Sequence, residues 1–231
     1  MKGWTWEHFW GYLPNKFLLG GAWTTIWLTL IAIFIGVFVG LIAALMLMSK
    51  NPVLRGIAKT YTWFYRGTPL LVQLIILYIG LPQIGIKLSV VQAAIIGLSI
   101  NEGAYLAEII RAGILAVGKG QFDAAKAVAM NYPTMMRLII LPQAARVIIP
   151  ALGNRVNGML KYSSITSVIS MEELTRRSQL LIQEKFAVLE IYIVATIWYL
   201  CMTSVWNLIQ NQIEKHYGRA YVETKGGTEA R

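Results

Sequence analysis

Few side chains in this sequence are placed to do chemistry, and most of them lie inside apolar runs. Glu102, Glu108 and Arg111 belong to the run that opens at Leu88, while Arg146, Asn154, Arg155, Asn157 and Lys161 belong to the run that opens at Gln143. Ionisable groups in such segments are expensive, so they meet a partner, line a wet cavity or bind a ligand. Glu108 and Arg111 stand three residues apart, neighbours on a helix, and read first as a structural ion pair rather than as transport residues. Glu102 lies deeper and has no local partner; Arg155 on the later run is the cation it could meet. Covalent chemistry has no comparable support. There is no Gly-x-x-x-x-Gly-Lys-Ser/Thr phosphate loop and no nucleophile beside a base, and His8 and His216 fall in separate polar segments. The single Cys201 offers neither an intrachain disulfide nor a thiolate metal site. The expectation is a chain that is not an enzyme, with no cofactor or metal of its own.

A second patterned stretch runs from Gln121 to Pro142. It opens after Gly118 and Gly120, carries Asp123 in an expected first helical turn, and has four alanines among the seven residues Asp123 to Ala129. Such a narrow helix lets a backbone come close to another surface. Asn131 and Pro133 supply a stop and a fresh start. Local pattern leaves two readings open: a helix built to dock on a partner, or an amphipathic connector lying on a membrane surface.

The elements that must position these residues are membrane spans. The chain is 56% hydrophobic and 14% charged, with mean hydropathy +0.56 and eight Trp among 231 residues, which exceeds the usual soluble composition. Its net charge of +10 brackets apolar runs, so it reads as a topology signal and not as a nucleic-acid surface. No basic n-region with a short apolar stretch opens the chain, so the first run is expected to be retained. Residues 1–16, with Trp4, Trp6, Phe9, Trp10 and Tyr12, suit an external interfacial segment.

Span one is expected from Phe17 to Ser49, with Gly36 and Gly40 as a small-xxx-small pair for close packing. A basic loop with Lys50, Arg55 and Lys59 follows, then span two from Leu70 to Ile86, interrupted by Gln73, Pro82 and Gln83. Span three runs from Leu88 to about Val117. Pro142 is expected to restart the chain as span four, Gln143 to Tyr162, with Pro150 and Gly153 loosening its middle. Arg155 lies roughly 14 Å beyond Arg146 along such a helix, so Asn154, Arg155 and Asn157 fall near mid-membrane. Ser163 to Lys185 is polar and suits a short external helix; span five covers Ala187 to Ile213, and residues 214–231 form a short tail. Placing the basic loops on one side puts the N-terminus outside, and the tail and the Gln121 stretch in the cytoplasm.

Asp123-Ala-Ala125, then Ala129, then Ile139-x-Leu-Pro142 resemble the EAA loop of the membrane subunits of type I ABC importers. Arg66-Gly-Thr-Pro-Leu-Leu-Val-Gln-Leu74, Asn101-Glu-Gly-Ala-Tyr-Leu-Ala-Glu-Ile-Ile-Arg-Ala-Gly113, Gly118-Lys-Gly-Gln121 and Leu141-Pro-Gln-Ala-Ala-Arg146 narrow the resemblance to the polar amino acid permeases, the histidine, glutamate, glutamine, arginine and opine systems. The match covers Leu18 to about Ile213. It implies an all-α integral membrane fold of five transmembrane helices with a cytoplasmic coupling helix at about 118–140, in a bacterial inner membrane. It also implies partners: a second permease, identical or paralogous, two cytoplasmic ATPase subunits that hold the ATP and Mg, and an extracytoplasmic solute-binding protein that delivers the amino acid.

On the same footing, Gly120, Gln121, Asp123, Ala124, Ala125, Ala129, Met130, Asn131 and Tyr132 become the ATPase-coupling residues. Gln73, Glu102, Asn154, Arg155, Asn157, Tyr162 and Ser163 become candidates for the substrate pathway. Three departures stand out. Asp123 replaces the usual Glu, Ala129 replaces the usual Gly and is expected to stiffen the turn, and Arg155 and Tyr162 stand where relatives often carry other residues, among them Asp at the second position. Arg155 and Lys161 would attract an anion, so an acidic or neutral polar amino acid is expected.

Overall fold

Asn15 opens the longest apolar helix. Its Oδ1 accepts from the N–H groups of Phe17 and Leu18, and α2 then runs Lys16–Met48. In the computed structural model, which describes residues 6–226, α2 packs most extensively on α5, Val90–Leu115. The expected glycine pair makes this contact possible. A Cβ on Gly40 would stand 3.0 Å from the Gly103 carbonyl and 3.1 Å from the Ala107 nitrogen, so the two backbones touch there. Gly36 meets the Glu102 side chain in the same way. α5 itself starts at a capping box, in which Ser89 Oγ accepts from Gln92 N–H and Gln92 Oε1 accepts from Ser89 N–H.

The stretch expected as a basic loop is a helix. Asn51 caps it, Pro52 fits its first turn, and α3 spans Pro52–Gly67 against α2 and α5, with Ala58 and Thr62 buried. It is followed by α4, Leu70–Ile75, a π turn at Ile76–Gly80 and a 3-10 turn at Leu81–Ile84. Span two is therefore a bent pair, α3 turning by 103° into Leu70–Ile84. Thr68-Pro69 makes the break, because the residue before a proline is pushed out of the helical region. Four other segments are long and apolar enough to cross a membrane: Lys16–Met48, Val90–Leu115, Tyr132–Ile169 and Val188–Tyr217. With the bent pair they make five spans.

Span four is longer than expected. After α6, Lys119–Ala127, and α7, Tyr132–Met135, a π turn at Met136–Ile140 passes directly into α8, Leu141–Tyr162. Pro142 does not restart the chain; it follows the π turn within one continuous helical run, and the widened turn before it accommodates the missing N–H. Pro150 lies inside α8 without ending it. The stretch expected to be external forms a 3-10 turn at Ser163–Ile169, still within the apolar segment Tyr132–Ile169, and then α9, Leu174–Lys185. Helix α10 continues from Val188 to Gly226, so the polar tail is a helical extension of span five.

At the N-terminus, α1, Trp6–Tyr12, exposes Trp6 and Trp10 and buries Phe9 against the α10 cluster. Trp198 Nε1 donates to the Leu13 carbonyl and fastens this segment to α10. Trp4 lies outside the described residues.

Glu173 caps α9 by accepting from the N–H groups of Thr175 and Arg176, and Tyr199 of α10 donates its hydroxyl to the same carboxyl. Burial pushes this carboxyl up to about 7, against the lowering effect of those donors.

Candidate functional site

Two sites emerge, one at mid-depth in the bundle and one at its Gly118 end. The first is built on α5 and α8. Glu102 projects from the face of α5 that meets α8, and Arg155 projects back from α8, so the deep carboxylate and the deep guanidinium face each other. They form two parallel bonds: Arg155 Nε to Glu102 Oε1 at 2.6 Å and Nη2 to Oε2 at 2.6 Å. The carboxylate is 1% exposed and the arginine 21%. Neither would tolerate such a place alone, and the bidentate geometry satisfies both oxygens.

Tyr105, one turn along α5, brings its ring centroid to 4.4 Å from the Arg155 guanidinium carbon and 5.6 Å from that of Arg66. A further turn on, Glu108 accepts from Arg111 Nη2 at 2.7 Å and Nε at 3.0 Å, the expected i,i+3 pair, and stands 3.6 Å from Arg66. Charged and aromatic groups thus follow one face of α5 from Glu102 to Arg111. The sequence reading missed Tyr105 and Arg66. The spacing Glu102, Tyr105, Glu108 carried the signal, but Arg66 lay in a segment read as loop.

The remaining pathway candidates divide. Gln73 is buried and its amide nitrogen lies 3.2 Å from the carbonyls of Tyr65 and Thr68 and 2.8 Å from Thr68 Oγ1, while its oxygen accepts from Asn101 at 3.0 Å. Asn101 also donates to the Tyr65 carbonyl at 3.1 Å. These bonds satisfy carbonyls freed by the bend between α3 and α4, so both amides brace that bend. Asn154 accepts from Gln210 at 3.2 Å and Asn157 donates to Asn207 at 2.5 Å, two polar links between α8 and α10. Tyr162 is exposed at the end of α8, and Ser163 is buried and donates to the Leu160 carbonyl. Glu102 and Arg155 come together; Asn154, Asn157, Tyr162 and Ser163 lie along α8 and at its end, and Gln73 lies at the α3–α4 bend, without converging on one point. Among the described residues no group of three His, Cys, Asp or Glu side chains could hold a metal ion.

The second site is the elbow formed by α6 and α7. Helix α6 begins at Lys119, so Asp123 lies in its second turn and not its first. The helix ends in a Schellman arrangement: Ala129 N–H donates to the Lys126 carbonyl at 2.9 Å and Met130 N–H to the Ala125 carbonyl at 3.1 Å. This closure places Ala129 at φ 57°, the left-handed region where a glycine costs least. Asn131 then caps α7, its Oδ1 accepting from Thr134 N–H.

Ala125 is 1% exposed and seats the elbow among Ile114, Val117, Met135 and Ile140, with Phe122 and Met130 packed at the edge. Gln143 Nε2 donates to Gln121 Oε1 at 3.1 Å and ties α6 to the start of α8. Ala125 therefore faces its own chain. Gly120, Gln121, Asp123, Ala124 and Asn131 are exposed, and Val128 and Tyr132 present apolar surface, at 70% and 61% exposure. Val128 and Lys126 were absent from the sequence-based set, although both face outward.

Comparisons with known proteins agree with this geometry. Residues 36–219 match the family described as the binding-protein-dependent transport system inner membrane component. The arginine transport system permease protein ArgU of Corynebacterium glutamicum is 39% identical over 95% of this chain and 74% of its own length. A crystal structure of an amino acid ABC transporter with histidines superposes with a TM-score of 0.87 at 39% identity, covering 93% of this chain and all, 100%, of that one. An inward-facing form of the MetNI methionine ABC transporter, at 17% identity, TM-score 0.75, and coverage of 87% of this chain and 96% of that one, shares the fold. With a seated elbow at one end of a five-span helical bundle and a family match over most of its length, the chain belongs to the inner membrane components of binding-protein-dependent transport systems.

Proposed function

We propose that this chain is the permease subunit of an ATP-driven importer of polar amino acids. The observation that carries the reading is the elbow: α6 is anchored to the bundle through buried Ala125 and through Gln121, which accepts from Gln143 of α8, while the turn into α7 presents Val128 and Tyr132 outward. An elbow joined to span four, with polar Gln121, Asp123 and Lys126 and apolar Val128 and Tyr132 on its free side, suits a partner that pushes on it. Two ABC ATPase subunits, which hold the ATP and Mg, dock there from the cytoplasm, and the N-terminus lies outside. A second permease, the same chain or a paralogue, completes the route, and a solute-binding protein delivers the amino acid. Transport proceeds by alternating access, in which ATPase closure is transmitted through α6 into α8; this requires that docking differ between the two states.

Substrate preference follows from the mid-depth charges. Both oxygens of Glu102 are taken by Arg155, so the deepest carboxylate offers no counter-ion to a cationic side chain, while Lys161 is exposed near the end of α8. The route favours an acidic or neutral polar amino acid, in contrast to the arginine in the name of the Corynebacterium relative. The test is uptake competition among Glu, Gln, Arg and His in membranes holding the intact complex. A strong preference for Arg that Arg155→Ala leaves unchanged sinks the substrate assignment. The self-satisfied Glu102 also favours a second reading, in which this chain completes the pore of a heterodimer and its paralogue holds the ligand.

A further inference from the structure

Tyr105 is not among the residues assigned to the substrate route or to the coupling elbow, yet it occupies the middle of the charged face of α5. Its ring lies 4.4 Å from the guanidinium carbon of Arg155 and 5.6 Å from that of Arg66. Arg155 comes from α8 and Arg66 from the last turn of α3, beside the 103° bend. One ring thus stands within cation–π distance of guanidinium groups from two different helices. The carboxylates on either side, Glu102 paired with Arg155 and Glu108 paired with Arg66 and Arg111, sit one turn to each side of it along α5.

We propose that Tyr105 is a positioning residue of the mid-depth centre, its ring face holding the Arg155 guanidinium square to Glu102 while Arg66 rests on the same ring. The physical need is clear from the geometry. A bidentate arginine pair depends on the plane of the guanidinium, and two bonds to one carboxylate leave the opposite side of that plane free to tilt. An aromatic face removes the freedom without adding a charge. Because the same ring meets Arg66, the orientation of Arg155 is also tied to the helix end that leads into the bend. The proposal rests on the importer reading only for its consequence in transport, since the positioning itself is a property of this chain.

The test uses the purified full-length protein and its variants Tyr105→Phe, Tyr105→Trp, Tyr105→Leu and Tyr105→Met. Phenylglyoxal modifies accessible guanidinium groups, and its rate at Arg155 is read by mass spectrometry of the corresponding peptide. An aromatic brace predicts that Phe and Trp react within about 2-fold of the native protein, and that Leu and Met react about 5-fold faster, the ratio expected for loss of one cation–π contact. Equal rates across all variants, or an order that follows side-chain size with Trp the most perturbed, overturn the proposal. Met stands in if the Leu variant does not fold. Uptake by the assembled complex adds the second arm: a raised KM with unchanged maximal rate for Leu, restored by Phe, joins the brace to the substrate route. Absence of uptake by the native complex would instead strike the importer reading and leave the modification result to decide the brace.

Discussion

Glu102 on α5 and Arg155 on α8 share two bonds of 2.6 Å across the middle of the bundle. A carboxylate 1% exposed is stable there only while its partner remains. Arg155→Met leaves that charge uncompensated and is expected to cost about 3 kcal/mol, whereas Glu102→Gln combined with Arg155→Met recovers at least about half of the loss. Thermal unfolding of detergent-solubilised Arg155→Met, Glu102→Gln and the double variant measures this; additive losses in the double variant contradict the pairing.

Ala129 holds a left-handed conformation at φ 57° as the closing residue of α6. Ala129→Gly relieves the clash of its Cβ with the backbone, offset in part by the greater entropy of glycine in the unfolded chain. The expected net gain is about 0.5 kcal/mol, read as a small upward shift in Tm with the elbow still competent to bind a partner. A lower Tm means that the turn is not closed as described.

The elbow separates seating from docking. Ala125→Arg forces a charge into the space among Ile114, Met135 and Ile140 and is expected to unseat α6, lowering both Tm and coupling. Val128→Asp changes a side chain 70% exposed and is expected to leave Tm unchanged while reducing copurification of the ATPase at least about 10-fold. If both variants retain the ATPase equally, the exposed face of α6 is not where it binds.

Glu173 gives the fold a pH dependence. Its carboxyl is pushed up to about 7 by burial, above the ordinary 4.5, so between those values the folded chain holds a proton that the unfolded chain releases. Stability from this group is therefore present at the acidic end and is lost as pH rises through the folded value. Glu173→Gln keeps one acceptor oxygen where Thr175 and Arg176 N–H bond two, and it cannot ionise, so its loss of a cap bond is the same at every pH. Between about pH 5 and pH 8 the native Tm is expected to fall relative to that of the variant; parallel Tm curves contradict it.

The sequence made the spans legible where long apolar runs dominate, as at Lys16–Met48 and Val90–Leu115, and it paired Gly36 and Gly40 with a neighbour. It failed at Pro52–Gly67, where Lys50, Arg55 and Lys59 suggested a loop, although tertiary contacts to α2 and α5 stabilise a helix that buries only a narrow face. A proline in a helix interior signals a restart at Pro142, yet the π turn before it carries the helix through without a break. The Glu102–Arg155 pair was foreseeable as the meeting of two deep charges. The brace by Tyr105 and the bend-bracing role of Gln73 were not, since each depends on side chains brought together from separate helices.

Amino acid uptake by liposomes that contain the tagged chain with the subunits that copurify with it decides whether this chain is an importer subunit. An importer subunit predicts an ABC ATPase in the purified complex and at least one of labelled glutamate and glutamine accumulating only when ATP, Mg and the solute-binding protein are supplied, with Val128→Asp abolishing both ATPase recovery and accumulation. Uptake that proceeds without ATP, or a purified chain that carries no ATPase and still moves glutamine, would contradict it.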